Sequence, residues 1–172
     1  MKHARQPVGP SFAAKLAVFL VVSILWIALD RLTKMMVAGN EVGEVFVENV
    51  AGLFEFKLIH NTGAAWGILS ESTLGLGIFS VVVCALIFVV FLVFFRKEGN
   101  MGQVLGLALV FAGGVGNAID RLAYSYVVDF INATFIDFPV FNVADIGVTC
   151  GIAIFLIATL VGGRSGKAEA GD

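Results

Sequence analysis

Two aspartates stand out by type and position: Asp129, in Val127-Val128-Asp129-Phe130, and Asp145, in Phe141-Asn142-Val143-Ala144-Asp145, flanking a short connector in an otherwise apolar sequence. One carboxylate at helix-centre depth in a bilayer costs about 3 kcal/mol, so two brought together imply that something uses them. Carboxylates sharing a site do not both ionise easily. The proton affinity of one rises, leaving an acid beside a base, the pairing that hydrolysis requires. For either aspartate alone, capping a helix at the membrane interface is the plainer reading; their co-occurrence on facing segments points to chemistry.

Other polar groups have simpler readings. Asp30 and Lys34 form an i, i+4 pair of opposite sign, and Asp120-Arg121 closes the third apolar run. Charges inside membranes usually pair to escape the desolvation cost, so both are expected to be scaffold ion pairs. Asn61-Thr62-Gly63-Ala64-Ala65-Trp66-Gly67 reads as a polar turn followed by small residues, with Trp66 suited to an aromatic belt. Asn132-Ala133-Thr134 matches a glycosylation sequon by chance, and His60 is expected at the surface. Cys84 and Cys150 are free thiols in apolar runs, neither at metal-ligand spacing. With no phosphate loop and no Ser/His arrangement either, neither a metal nor a cofactor is expected.

The elements that must position these groups follow from composition. At 59% hydrophobic and 14% charged residues, with a mean hydropathy of +0.96, the chain cannot be a water-soluble domain. A net charge of -2 gives no electrostatic reason for a nucleic-acid partner. The 172 residues leave room for four spans of about 20 residues and short connections. An all-α membrane bundle of one domain, residues 1–172, is expected, with spans at about 13–37, 74–95, 101–119 and 143–161. The basic start and apolar run of the first span could also be a signal peptide. Apolar character resumes after the charged cluster and no small-x-small cleavage pattern follows, so the segment is read as retained.

Within the third span, Ala112-Gly113-Gly114-Val115-Gly116 lets a neighbouring backbone approach closely. Asn142 is placed to cap the fourth span, with Asp145 in its first turn. Between spans one and two lies an extramembrane stretch, about 39–72. There Leu53 to Leu58 alternates apolar with charged residues, a strand signature, and Val45-Phe46-Val47 is its hairpin partner, giving a small β-sheet on the membrane surface. The apolar side of that strand, Phe54, Phe56 and Leu58, is expected to meet lipid or the acyl chains of a substrate.

Basic residues flank the spans on one side: Lys2, Arg5 and Lys15 before the first, Arg96 and Lys97 between the second and third, Arg164 and Lys167 after the fourth. The positive-inside rule makes that side, with both termini, cytoplasmic. Asp30, His60-Asn61, Asp120-Arg121, Asp129 and Asp145 then collect at the external face.

Five motifs in order, Asp30-Arg31-Leu32-Thr33-Lys34, Asn61-Thr62-Gly63-Ala64-Ala65-Trp66, Gly116-Asn117-Ala118-Ile119-Asp120-Arg121, Val127-Val128-Asp129-Phe130 and Phe141-Asn142-Val143-Ala144-Asp145, resemble those of bacterial lipoprotein signal peptidase, signal peptidase II. The resemblance covers nearly the whole chain. It implies a monomeric, multi-pass aspartic endopeptidase of the bacterial cytoplasmic (inner) membrane, acting at the extracytoplasmic face. Its substrates would be prolipoproteins, cut before a cysteine that carries a diacylglyceryl group, with membrane lipid as the surrounding partner. Asp129 and Asp145 match the family's catalytic aspartates, and Asp30, Lys34, Asn61, Gly63, Asn117, Arg121, Asn142 and Ala144 match positions that shape or support the site. Where the family tends to have glycine, four residues before the first catalytic aspartate, this chain has Ser125, and its connector between the aspartates is short.

In such a dyad an ionised aspartate takes a proton from water while its protonated partner polarises the scissile carbonyl. Capping by Asn142 would favour the charged form of Asp145, leaving Asp129 to hold the proton. Two other classes compete: an ion- or proton-coupled transporter subunit using both aspartates as ligands, and a non-catalytic lipoprotein-binding scaffold. The absence of mirrored halves disfavours the first, and the retained pair of aspartates disfavours the second.

Overall fold

Four apolar runs become four helices. In the computed structural model, which describes residues 9–63 and 73–168 with side chains to 162, these are α1 (Phe12–Val37), α2 (Thr73–Phe94), α3 (Met101–Tyr124) and α4 (Val143–Ala168). All four contain stretches long and apolar enough to cross a membrane. Ser11 caps α1 through its hydroxyl, and Asn100 and Gln103 close a reciprocal capping box at the start of α3, so the polar linker before it also starts the helix. Lys2, Arg5, Ala64, Ala65 and Trp66 lie outside the described residues, as do the side chains of Arg164 and Lys167.

The helix α3 is the hub against which α1, α2 and α4 pack. Its contact with α4 runs through glycine: a Cβ on Gly106 would sit 2.6 Å from the Gly151 carbonyl oxygen, and one on Gly151 would sit 2.6 Å from that of Gly106. Gly113 meets the Ala144 carbonyl in the same way, the close approach expected of the small-residue cluster. Towards the start of α1, Phe19, Phe91, Phe95, Val104 and Ala108 form an apolar core in which the Phe19 and Phe91 rings stack at 4.3 Å. Lys15 is buried there too. Its ammonium donates to the carbonyls of Glu98 at 2.6 Å and Phe95 at 3.3 Å, tying α1 to the end of α2.

A three-stranded antiparallel sheet in the order β1 (Val45–Val50), β2 (Phe54–Asn61), β3 (Val127–Ala133) covers the other end of the bundle. The hairpin β1–β2 lies between α1 and α2 as expected. The third strand comes from between α3 and α4 and carries Asp129. Its first four residues are all buried, so it lacks the alternation that marks a half-exposed strand. The helix α3 also runs past the expected end at Ile119 to Tyr124, placing Asp120 and Arg121 on its last turns.

The packing of this sheet on the bundle overturns the lipid-facing reading for Leu58, while Phe54 and Phe56 are half-buried against aromatic neighbours. Leu58 is 1% exposed in a second core with Val37, Val128, Phe130 and Val143, and Phe56 packs edge-to-face on Phe130. Phe54 likewise meets Phe135. With the hairpin considered alone, the face that packs on Val37 of α1 and Val143 of α4 had looked free. Beyond β3, residues 134–140 form a loop whose base is closed by three backbone hydrogen bonds of 2.8–3.0 Å linking Phe130 and Ile131 to Phe141.

Candidate active site

The start of α4 builds one half of the site. Asn142 accepts the N–H of Asp145 at 3.0 Å, and the Asp145 carboxylate accepts the N–H of Asn142 at 3.1 Å, a reciprocal capping box that holds Oδ2 of Asp145. Since its Oδ1 faces that N–H, Asn142 must turn its amide nitrogen the other way. This Nδ2 donates to Asp129 Oδ1 at 2.6 Å and to Asn117 Oδ1 at 3.0 Å.

The same logic of donors and acceptors fixes the other two asparagines. Lys34 has only N–H donors, so Asn117 must present its oxygen to the Lys34 ammonium, at 3.1 Å, and its Nδ2 to Asp145 Oδ1, at 2.7 Å. Asn61 accepts the N–H of Gly63 at 3.0 Å, a side-chain turn that aims its Nδ2 at Asp129 Oδ2, 2.8 Å away. Thus all four oxygens of Asp129 and Asp145 receive an N–H. Both carboxylates open on one cavity of about 410 Å³, whose lining includes Arg121, Phe138, Ile146 and Cys150. Asp129 is 2% exposed, and its carboxyl is pushed up to about 7 by burial and by the neighbouring charge of Asp145, against the opposing pull of the Asn61 and Asn142 hydrogen bonds and Lys34.

The site residues matched to the five motifs, Asp30, Lys34, Asn61, Gly63, Asn117, Arg121, Asn142 and Ala144, sit in or against this network. Asp30 accepts the Ala144 N–H at 3.0 Å, and Arg121 donates to the Gly63 carbonyl at 3.2 Å. Asp30 and Lys34 do pair, at 3.1 Å. Asp120-Arg121 is not a scaffold pair. Asp120 reaches instead to Arg31 at 2.6 Å and Lys34 at 2.8 Å on α1, which leaves the Arg121 guanidinium to line the cavity. Arg31 and Asp120 were therefore the residues missed. The signal was the repeated Asp-Arg dipeptide, Asp30-Arg31 and Asp120-Arg121, near the ends of two spans that finish on the same side. Ser125 takes the left-handed conformation, φ 63° and ψ 22°, at the end of α3, so the turn survives without glycine. His60 is exposed and stacks on Tyr126 at 3.8 Å.

Residues 22–161 match the family model described as signal peptidase (SPase) II. The chain is 39% identical over 150 residues to the lipoprotein signal peptidase of Shouchella clausii, spanning 86% of this chain and 95% of that protein. It is 34% identical over 157 residues to that of Enterococcus faecalis, spanning 88% and 95%. Among solved structures, it resembles a bacterial membrane enzyme determined in meso at 2.3 Å, with a TM-score of 0.74 and 30% identity over 84% of this chain and 88% of that one. A second, at 1.9 Å, gives a TM-score of 0.72 and 32% identity over 84% and 93%. The transporter reading finds no support among these relatives.

Proposed function

This chain belongs to the signal peptidase II family, whose work is to remove signal peptides from prolipoproteins, and we propose that it cuts as an aspartic endopeptidase with Asp129 and Asp145 as its catalytic dyad. The observation that carries this reading is the convergence of the two carboxylates, from β3 and α4, on one cavity where Asp129 keeps a proton up to about pH 7. Protonated Asp129 hydrogen-bonds the scissile carbonyl while ionised Asp145 takes a proton from water. The water oxygen adds to the carbonyl carbon and the carbonyl oxygen takes up the Asp129 proton. When the C–N bond breaks, Asp145 passes the water's proton to the departing amine, and the hydroxyl proton of the adduct returns to Asp129. Asn61, Asn117 and Asn142 hold the carboxylates in place, Lys34 fixes the Asn117 amide, and Gly63 and Arg121 fix the loop that carries Asn61. Asp30 and Ala144 hold the start of α4.

The whole chain is read as one membrane-embedded peptidase domain acting as a monomer in the bacterial inner membrane. The scissile bond precedes a diacylglyceryl-cysteine, and the dyad faces the extracytoplasmic side. Basic residues on the opposite side of the spans support that orientation. The decisive experiment incubates the purified protein with a diacylglyceryl-modified prolipoprotein. A mass loss equal to the signal peptide is expected from the wild type and none from Asp129→Asn or Asp145→Asn; turnover by either variant removes the dyad. A cysteine introduced at Gly52 should react from outside intact cells, and one at Gly99 only after the membrane is opened. The reverse pattern rejects the orientation.

A further inference from the structure

Asp30 on α1 and Asp120 on α3, both fully buried, form a closed square with Arg31 and Lys34. Arg31 reaches Asp30 at 2.9 Å and Asp120 at 2.6 Å; Lys34 reaches the same two at 3.1 and 2.8 Å. Each cation bridges both anions, so the charges cancel within the square. Its cations also donate outward, Lys34 to Asn117 Oδ1 at 3.1 Å and Arg31 to the Gly116 carbonyl at 3.3 Å, and its two carboxylates each accept one main-chain N–H. Asp30 Oδ1 accepts the N–H of Ala144 at 3.0 Å, and Asp120 Oδ2 accepts the N–H of Val128 at 3.2 Å.

Those two amides have a special place in the chain: Val128 immediately precedes Asp129, and Ala144 immediately precedes Asp145. The N–H of Ala144 lies in the first turn of α4, where no intrahelical acceptor exists. One rigid ionic unit therefore grips the main chain one residue upstream of each carboxylate. Resting on the reading of Asp129 and Asp145 as the dyad, we infer that Asp120 and Asp30 are positioning residues, which set the spacing between the two catalytic carboxylates by holding the amide before each. Only a carboxylate suits the place of Asp120. Arg31 on Oδ1 and both Lys34 and the Val128 amide on Oδ2 are all donors, so an amide there would aim its own N–H at a donor.

The discriminating variant is Asp120→Glu, which keeps the charge of the square but moves the acceptor by one methylene. Cleavage of a diacylglyceryl-modified prolipoprotein is measured per folded molecule in detergent, beside Asp129→Asn. A merely structural ion pair would be rescued by glutamate. A positioning role predicts that kcat falls about 100-fold, the effect of roughly 1 Å of misplacement, while KM stays within about threefold because the cavity wall is unchanged. Asp120→Glu turning over at the wild-type kcat, with Asp129→Asn inactive, overturns the positioning role and leaves the dyad standing. An active Asp129→Asn removes the dyad and this inference together. Should the glutamate variant not fold, replacing Val128 by its α-hydroxy acid analogue exchanges only the N–H for an ester oxygen. A fall in kcat of about tenfold at constant KM is expected, and an unchanged kcat overturns the inference.

Discussion

Replacing Asp129 by asparagine should abolish cleavage and make the protein's stability relative to wild type rise with pH between about 4 and about 7. The Asp129 carboxyl, ordinarily near 3.8, is held up to about 7 in the fold by burial and by the charge of Asp145. The folded chain thus grips this proton more tightly than the unfolded chain does. As pH rises the unfolded chain loses it first, so stability declines from about pH 4 to about pH 7 and then levels. The interval between 3.8 and about 7, at 1.36 kcal/mol for each pH unit, sets the loss at about 4 kcal/mol. Asparagine cannot ionise. The stability of Asp129→Asn relative to wild type, followed by equilibrium unfolding in mixed micelles, should therefore climb by about 1.4 kcal/mol per pH unit through that window and flatten above it. A difference that stays constant from pH 4 to pH 8 would refute the reasoning, because the Asp129 carboxylate would then be hydrated or paired well enough to ionise freely.

Lys34→Ala leaves two buried carboxylates short of a cation and should cost about 3–5 kcal/mol, seen as a collapse of folded yield, whereas Arg121→Ala should fold at normal yield and show its defect in kcat/KM, through the cavity wall and the Gly63 carbonyl it holds. Equal yields for the two variants would contradict the different partners of these cations. Ser125→Gly should raise stability by about 1 kcal/mol at unchanged kcat, since only glycine takes the left-handed conformation there without crowding of Cβ; a lowered unfolding midpoint would count against it. Cys150 is exposed on the cavity wall while Cys84 is buried, so a membrane-permeant maleimide should block cleavage by the wild type and spare Cys150→Ser. Equal inactivation of both would place the reactive group elsewhere.

The four spans were legible because each contains a long uncharged run, and the hairpin because Leu53 to Leu58 alternates. The cap at α4 was legible from the three-residue spacing of Asn142 and Asp145. What stayed hidden depends on contacts between distant segments. The strand β3 is buried from Val127 to Phe130 and so carries no period-two signal. The end of α3 was placed too early because Asp120-Arg121 reads as water-exposed until Arg31 and Lys34, 89 and 86 residues away, are seen to neutralise Asp120. The true roles of Asp120 and Arg121 share that cause: adjacent opposite charges suggest a pair, whereas successive side chains on a helix point in different directions.

The glycine contacts between α3 and α4 bear on which parts of the molecule can yield. Where helices meet through long side chains, rotamer changes let them slide; Gly106, Gly113 and Gly151 bring backbone against backbone, with only the short, β-branched Val110 and Val148 beside them. Asn117, four residues after Gly113, and Asp145, beside the Ala144 carbonyl that Gly113 touches, ride on this stiff axle. Asp129 rides on a strand that passes into the 134–140 loop, closed at its base by the pairing with Phe141. Asp145 is thus mounted on the frame of the bundle itself, and Asp129 is moored to that frame through the Val128 amide that Asp120 holds.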